Sequence, residues 1–342
     1  MSDNLEIAWV DPFDDATFDV WHEVYATSQR FGREETAAVW TLEELRVQMQ
    51  HQGTGRWAGA YLGRVAGTAV ASGFVMMSLV DNLDRTSLWV DVLPERRRRG
   101  HGSAMLDHVL DVAREKGRSI IATEASWSYD AHPEGAGEPG VEFLRAHGFD
   151  LGLVEIQRTL RLPVDDALLA ELAARAATRH EGYTLRSWVG PVPDELLESW
   201  AALSSSLMTE APVGELDLEP ESADVALVRE AEDVIAKQGR TKYNTAALDA
   251  DGVVVAYTDL ATAVHDPGKA YQWGTLVRGD HRGHRLGMAV KVANLQQLQA
   301  LDTTARTVVT WNAEVNSHMI GVNEEIGFRR TERAGAFQRK LV

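Results

Sequence analysis

Apolar and polar positions along the chain follow a pattern that runs through twice. In the first half, residues 5–10 read as a short strand, and residues 15–29 and 42–51 carry apolar residues at helical spacing. Strands follow over 57–75 and 87–93, then a helix over 103–117, a strand over 119–125, a helix ending at Gly148-Phe149 and a last strand. The second half repeats this order. It has a strand over 183–189, helices over 194–207 and 222–238, strands over 244–264 and 271–277, a helix over 288–301, a strand over 307–313, and a helix ending at Gly327-Phe328. Within it, ALDADGVVVA places an Asp-Gly turn between apolar alternations, which predicts a hairpin. Each half therefore reads as a mixed α/β unit with a strand, a Gly-rich loop and a helix at its centre.

The repeat extends to individual residues. Trp9, Pro12, Asp15 and Trp21 match Trp188, Pro191, Asp194 and Trp200 at one constant spacing, and the two Gly-Phe pairs keep it. Gly102 and Gly287 match at a slightly longer one. Several matches in one order indicate a duplicated domain. Between the copies, residues 164–180 form a leucine- and alanine-rich helical stretch with Pro163 before it and Gly182 after it. The expected layout is a unit over 1–160, a linker helix over 161–181 and a second unit over 182–342. The recurrent tryptophans read as core.

Composition narrows the function. A net charge of -17 over 342 residues argues against a general nucleic-acid binder, which needs a broad basic surface. The absence of cysteine excludes disulfides, thiolate catalysis and Cys-based zinc sites. The opening MSDNLEIAWVDPFDD lacks the basic and apolar regions of a secretory signal, and no apolar run is long enough to span a bilayer. The expectation is a cytoplasmic protein with no membrane or nucleic-acid partner, a monomer or homodimer. No metal site is expected, because His281 and His284 lie among arginines.

Against that charge, PERRRRGHG (residues 94–102) stands out, with GDHRGHRLG (279–287) as its second copy. Each follows a strand and precedes a helix. Free N–H groups at a helix start, close-approaching glycines and arginines together suit a phosphate or pyrophosphate. A basic surface loop with a glycine turn has the same spelling. Neither a Walker A loop nor a Rossmann G-x-G-x-x-G is present.

Arg97-Arg98-Arg99-Gly100-His101-Gly102, after the strand end Val90-Asp91-Val92, resembles the pyrophosphate loop of the GNAT acetyltransferase superfamily. The second copy, Arg282-Gly283-His284-Arg285-Leu286-Gly287 after Thr275-Leu276-Val277, departs from it at Arg285, where the family usually has glycine. Residues 310–328 resemble the strand and helix that close the family's cofactor cleft. The resemblance covers nearly the whole chain as two tandem units, a layout similar to that of mycothiol synthase. It implies two GNAT-type domains, each a mostly antiparallel sheet flanked by helices. It implies acetyl-CoA as the acyl donor and a small-molecule primary amine as acceptor. In both loops the backbone would hold the coenzyme A pyrophosphate, and the preceding strand end would pair with the pantetheine arm.

The same resemblance places Asn316 on the cofactor arm. It puts Asn323 where many members have the tyrosine that protonates the departing thiolate; in the first half that place falls to Leu144. The second half, with the fuller arm motif, is expected to be catalytic. No glutamate stands on its strand leading into the loop, so Asp259 and His265 are the nearest candidates for the base; each also fits a surface or turn residue. The acidic stretch 204–224 offers Glu210, Glu215 and Asp217 to steer a cationic amine, or forms a solvated acidic loop. The alternative is a non-catalytic acyl-CoA-binding or regulatory protein, since neither half keeps the tyrosine.

Overall fold

A computed structural model describes residues 4–341. The first stretch runs β1 (Glu6–Trp9), α1 (Asp15–Arg30), α2 (Leu42–Gln50), β2 (Arg56–Val65), β3 (Thr68–Ser78), β4 (Arg85–Val92), α3 (His101–Glu115), β5 (Ile120–Ser128), α4 (Pro139–Ala146) and β6 (Asp150–Arg161). The second runs α5 (Asp166–Ala177), β7 (Thr184–Val189), α6 (Asp194–Ser204), α7 (Leu207–Glu210), α8 (Val225–Lys237), β8 (Arg240–Leu248), β9 (Val254–Ala263), β10 (Lys269–Val277), α9 (Leu286–Leu301), β11 (Thr307–Ala313), α10 (Ser317–Ile326) and β12 (Arg329–Lys340).

Two compact units result, and their membership is not a simple cut of the chain. One holds the described residues up to Leu153 together with Ala334 onward; the other holds Val154–Arg333. The N-terminal unit's strands lie in the order β1-β2-β3-β4-β5-β12, and the C-terminal unit's in the order β6-β11-β10-β9-β8-β7. Most of the last strand of each half is thus counted in the other unit. β1–β2, β2–β3, β3–β4, β6–β11, β7–β8, β8–β9 and β9–β10 pair antiparallel, and β4–β5 and β10–β11 pair in parallel.

Local signals explain the elements. Thr41 and Glu44 form a reciprocal capping box that starts α2, and Asp165 accepts from the N–H groups of Ala167 and Leu168 to start α5. Phe18, Trp21 and Val24 on one face of α1 pack with Leu45, Met49, Ala58 and Leu62. Trp21 donates its indole N–H to the Gly73 carbonyl at 3.1 Å. Trp200 is buried in the corresponding core with Leu196, Tyr257 and Leu276. Trp9 departs from the expectation of a core tryptophan: it sits on the edge strand β1 with over half of its surface exposed. The Asp-Gly hairpin forms between β8 and β9, with Gly252 at φ 80°. α5 packs Leu169, Leu172 and Ala176 onto α9 and α10 in the second unit's core.

Candidate active site

The two basic loops have one backbone conformation. After Val92, a single 3-10 turn (Pro94–Arg96) leads to Arg98 at φ 62° and Gly100 at φ 86°, and α3 begins. After Val277, the turn Gly279–His281 leads to Gly283 at φ 87° and Arg285 at φ 54°, and α9 begins. Each loop has two left-handed positions, one glycine and one arginine, and the two residue types are exchanged between the copies. Arg285 therefore keeps the shape that glycine would give, at a cost of about 1–2 kcal/mol for an L-residue in that region. Open N–H groups then face outward at each helix start, as an anion site requires.

The arginines divide by role. Arg97 turns back to donate to the Val92 carbonyl at 3.0 Å and the Ser28 carbonyl at 3.3 Å, with its guanidinium over the Phe31 ring. Arg282 donates to the Val277 carbonyl at 3.4 Å and pairs with Glu210 at 2.7 Å. These two brace the loops, whereas Arg98, Arg99 and Arg285 are exposed and free to add charge to a bound anion. His101 and Leu286 are buried, and His284 Nδ1 lies 3.1 Å from the Arg179 carbonyl. A Cβ at Gly102 would crowd the Phe143 ring at 3.3 Å and lie 3.6 Å from Val92, and one at Gly287 would lie in ordinary contact with Val277 at 3.7 Å, so both glycines face the strand end.

Between the parallel strands a cleft opens. β4 pairs with β5 only from Arg85 to Ser87, and β10 with β11 only from Lys269 to Tyr271. Beyond those points the strands part and leave strand edges for a ligand. β4 runs in even register against β3 from Ser87 to Val92. β10 has a bulge between Gln272 and Thr275 against β9, which makes it one residue longer between the parting point and the loop.

The two clefts differ in chemistry. In the N-terminal unit the cleft is lined by Leu88, Val90, Leu106, Phe143 and Leu144, with Gln29, Thr123 and Glu124 as polar members. Burial raises the Glu124 carboxyl above its ordinary range. On β4, Asp91 is buried and accepts from the Gln29 amide at 2.8 Å. Burial pushes its carboxyl up to about 7, with the Gln29 hydrogen bond and the Arg97 and Arg33 charges pulling the other way.

In the C-terminal unit the same place is polar. The Gln272 amide donates to Thr258 Oγ1, the Asp259 carbonyl and the Gly274 carbonyl, and Thr310 Oγ1 donates to the Gln272 carbonyl. Asn323 is fully buried and donates to Asn312 Oδ1 at 2.5 Å, while its own Oδ1 has no hydrogen-bond partner. Thr275 lies in the bulge network beside Thr258.

Of the other residues singled out in the sequence, Asp259 is committed twice: its carboxylate pairs with Lys242 at 2.8 Å and accepts the Gly274 N–H at 2.7 Å. Asn316 caps α10 by accepting the Met319 N–H at 3.2 Å. His265 is exposed in the turn joining β9 to β10, at the end of the sheet opposite the basic loop, so the fold does not bring it to the cleft. Glu215 and Asp217 are exposed on the segment before α8. The sequence reading passed over Asp91, Glu124 and Lys291. Asp91 carries a signal in the sequence, an acid on the strand leading into the first loop, which the second half lacks. Among the described residues no group of three or more His, Asp or Glu side chains is gathered as metal ligands would be, and no helix is long and apolar enough to cross a membrane.

Comparisons with known proteins fit this geometry. The acetyltransferase (GNAT) family model matches residues 19–133. A tandem GNAT protein from the clavulanic acid biosynthesis pathway, solved without acetyl-CoA, is 26% identical over 98% of both chains, with a TM-score of 0.79. A GCN5-related N-acetyltransferase from Sphaerobacter thermophilus is 13% identical over 98% of this chain and 95% of its own, with a TM-score of 0.65, and shares the fold. No curated protein matches the sequence. The chain carries a GNAT acetyltransferase domain. Its layout is that of two GNAT domains in tandem, and the family implies acyl transfer from acyl-CoA.

Proposed function

We propose that the protein moves an acetyl group from acetyl-CoA to the primary amine of a small molecule, and that this chemistry belongs to the N-terminal unit. Asp91 carries the assignment. A base for this reaction must be ionised near neutral pH, close to the cleft and on the acceptor's side. Asp91 lies on the strand that enters the loop, contacts the cleft-lining Gln29, and titrates at about 7. The open cleft and the family match to residues 19–133 support the same half.

The residues fit the donor. The α3 N-terminus with Arg98, Arg99 and Gly100 would hold the pyrophosphate, and the unpaired edge of β4 at Val90 and Val92 would pair with the arm. Acetyl-CoA supplies an activated thioester. Asp91 accepts the proton of the acceptor ammonium, directly or through one water, and Gln29 orients its carboxylate. Leu144 stands in the acid's place and donates nothing, so the amine's second proton passes through water to the departing thiolate.

A second reading keeps the chemistry in the C-terminal unit, where the β10 bulge is a local break suited to polarising a carbonyl. One experiment separates the two. Thiol release is followed with acetyl-CoA over a panel of small amines, for wild type, Asp91→Asn and Gly287→Trp, with acetyl-CoA binding measured by calorimetry. Loss of about 10²-fold or more in kcat for Asp91→Asn, with binding retained, supports the N-terminal assignment. Loss confined to Gly287→Trp transfers it to the other unit, and absence of binding by wild type overturns the acyltransferase reading.

A further inference from the structure

Lys291 is the least expected residue in the C-terminal unit. It lies on α9 with 1% of its surface exposed, and among the described residues no carboxylate pairs with it. Lysine is almost never fully buried without a partner. Its ammonium stands 5.4 Å from the centre of the Phe328 ring, and the Phe328 N–H donates to the Asn323 carbonyl. The amine therefore sits beside the wall that carries Asn323.

The repeat fixes where Lys291 points. Gly102 and Gly287 hold the same place, each facing the valine that ends the preceding strand. One helical turn further on are Leu106 and Lys291, on the same face of their helices. Leu106 lines the N-terminal cleft next to Leu88, where β4 and β5 part. Lys291 takes that place in the C-terminal unit, at the level where β10 leaves β11 and where the acyl end of a bound thioester would lie. Burial alone lowers its amine to about 7, so a large fraction is neutral and nucleophilic under ordinary conditions.

We propose that Lys291 is a self-acylation site: with acetyl-CoA in the C-terminal cleft, its Nζ takes the acetyl group and becomes an Nε-acetyl-lysine. Nζ attacks the thioester carbonyl carbon and the C–S bond breaks. The amine loses one proton to the departing thiolate, and the products are an amide and free coenzyme A thiol. One acetyl-CoA is consumed per chain and no other reactant is needed. The modification also removes a charge from the core. This rests on the reading that the protein takes acetyl-CoA, and it does not depend on the acceptor or on which unit turns over.

The test uses the full chain with acetyl-CoA and no amine. Calorimetry reports binding, and tandem mass spectrometry of peptides reports acetylation at each lysine over time. The expected result is that Lys291 gains an acetyl group at least about tenfold faster than the exposed Lys116 and Lys237, despite its burial. That preference vanishes in urea and in the folded Gly287→Trp variant. Lys291→Arg, which keeps a long cationic side chain, loses the fast site and retains binding. Binding with Lys291 modified no faster than the surface lysines overturns the proposal and leaves the acyltransferase reading intact; no binding overturns that reading first.

Discussion

Replacing Lys291 with leucine, the residue its counterpart Leu106 already is, makes a quantitative test of its burial. An ordinary lysine titrates at 10.5 and this one at about 7, with desolvation the cause. A drop of that size corresponds to about 5 kcal/mol of preference for the neutral form. The sign follows from proton counts. Between about 7 and 10.5 the unfolded chain binds a proton at this site and the folded chain does not, so stability rises with pH across that window. Above 10.5 both states are neutral and the penalty is gone; below about 7 both are charged and it is complete. The Phe328 ring returns about 1 kcal/mol of it.

Lys291→Leu should therefore be more stable than wild type by about 3–5 kcal/mol at about pH 6, by about 3 at pH 8, and by under about 1 near pH 10.5. Urea unfolding of both proteins across that range measures the gap directly. Differencing against wild type removes Asp91, whose raised value acts oppositely by lending stability that fades as pH rises toward about 7. A gap that stays constant with pH, or widens as pH rises, would refute the reasoning, because the amine would then be solvated in the folded protein. Wild type acetylated at Lys291 should behave like the leucine variant, with no pH-dependent gap.

Three further outcomes are expected. Gly100→Ala and Gly283→Ala should each lower stability by about 1–2 kcal/mol, since both sit in the left-handed region, whereas Arg285→Ala, already there as an L-residue, should leave the urea midpoint nearly unchanged. Asp259→Ala should cost about 3–5 kcal/mol in thermal or urea unfolding, because it leaves the largely buried Lys242 unpaired and the Gly274 N–H unsatisfied. The Asp91-dependent rate should climb with pH until about 7 and then level, and Asp91→Asn should lose that limb in a kcat/KM profile.

Much of the fold was legible because it rests on local chemistry. Helical spacing, the Asp-Gly hairpin and the strand-loop-helix unit each follow from a few neighbouring residues, and each is present. The duplication was legible from Trp21 and Trp200, which fill matching cores. Which unit a terminal strand joins was not, because β6 and β12 carry the same strand pattern and nothing local names a partner. Arg285 looked like a defect in the second loop. Only backbone angles show that Arg98 is its counterpart, with glycine and arginine exchanged between two identical turns. Asp259 looked like a free acid because its partners, Lys242 and the Gly274 N–H, come from other strands. Lys291 is one polar position in an apolar helix, and its burial depends on packing that no spacing reveals.

One inserted residue accounts for the different side chains that the two halves present beside their loops. The loops and the strand-parting points match position by position, so the bulge in β10 falls between two fixed anchors. Side chains alternate along a strand, and an extra residue re-aims those around it. The register carries Asp91 onto Leu276, a buried member of the core around Trp200, so the C-terminal unit has no acid at that point. Around the bulge Gln272, Thr258 and Thr310 form a buried hydrogen-bonded cluster, and in the repeat Lys291 stands where the N-terminal unit has Leu106. Under the proposed function, the apolar walls of the N-terminal cleft and Asp91 behind Gln29 serve transfer to an outside amine. Under the self-acylation proposal, the C-terminal unit sets buried polar side chains beside an amine of its own, Lys291, for a single transfer that ends on the protein.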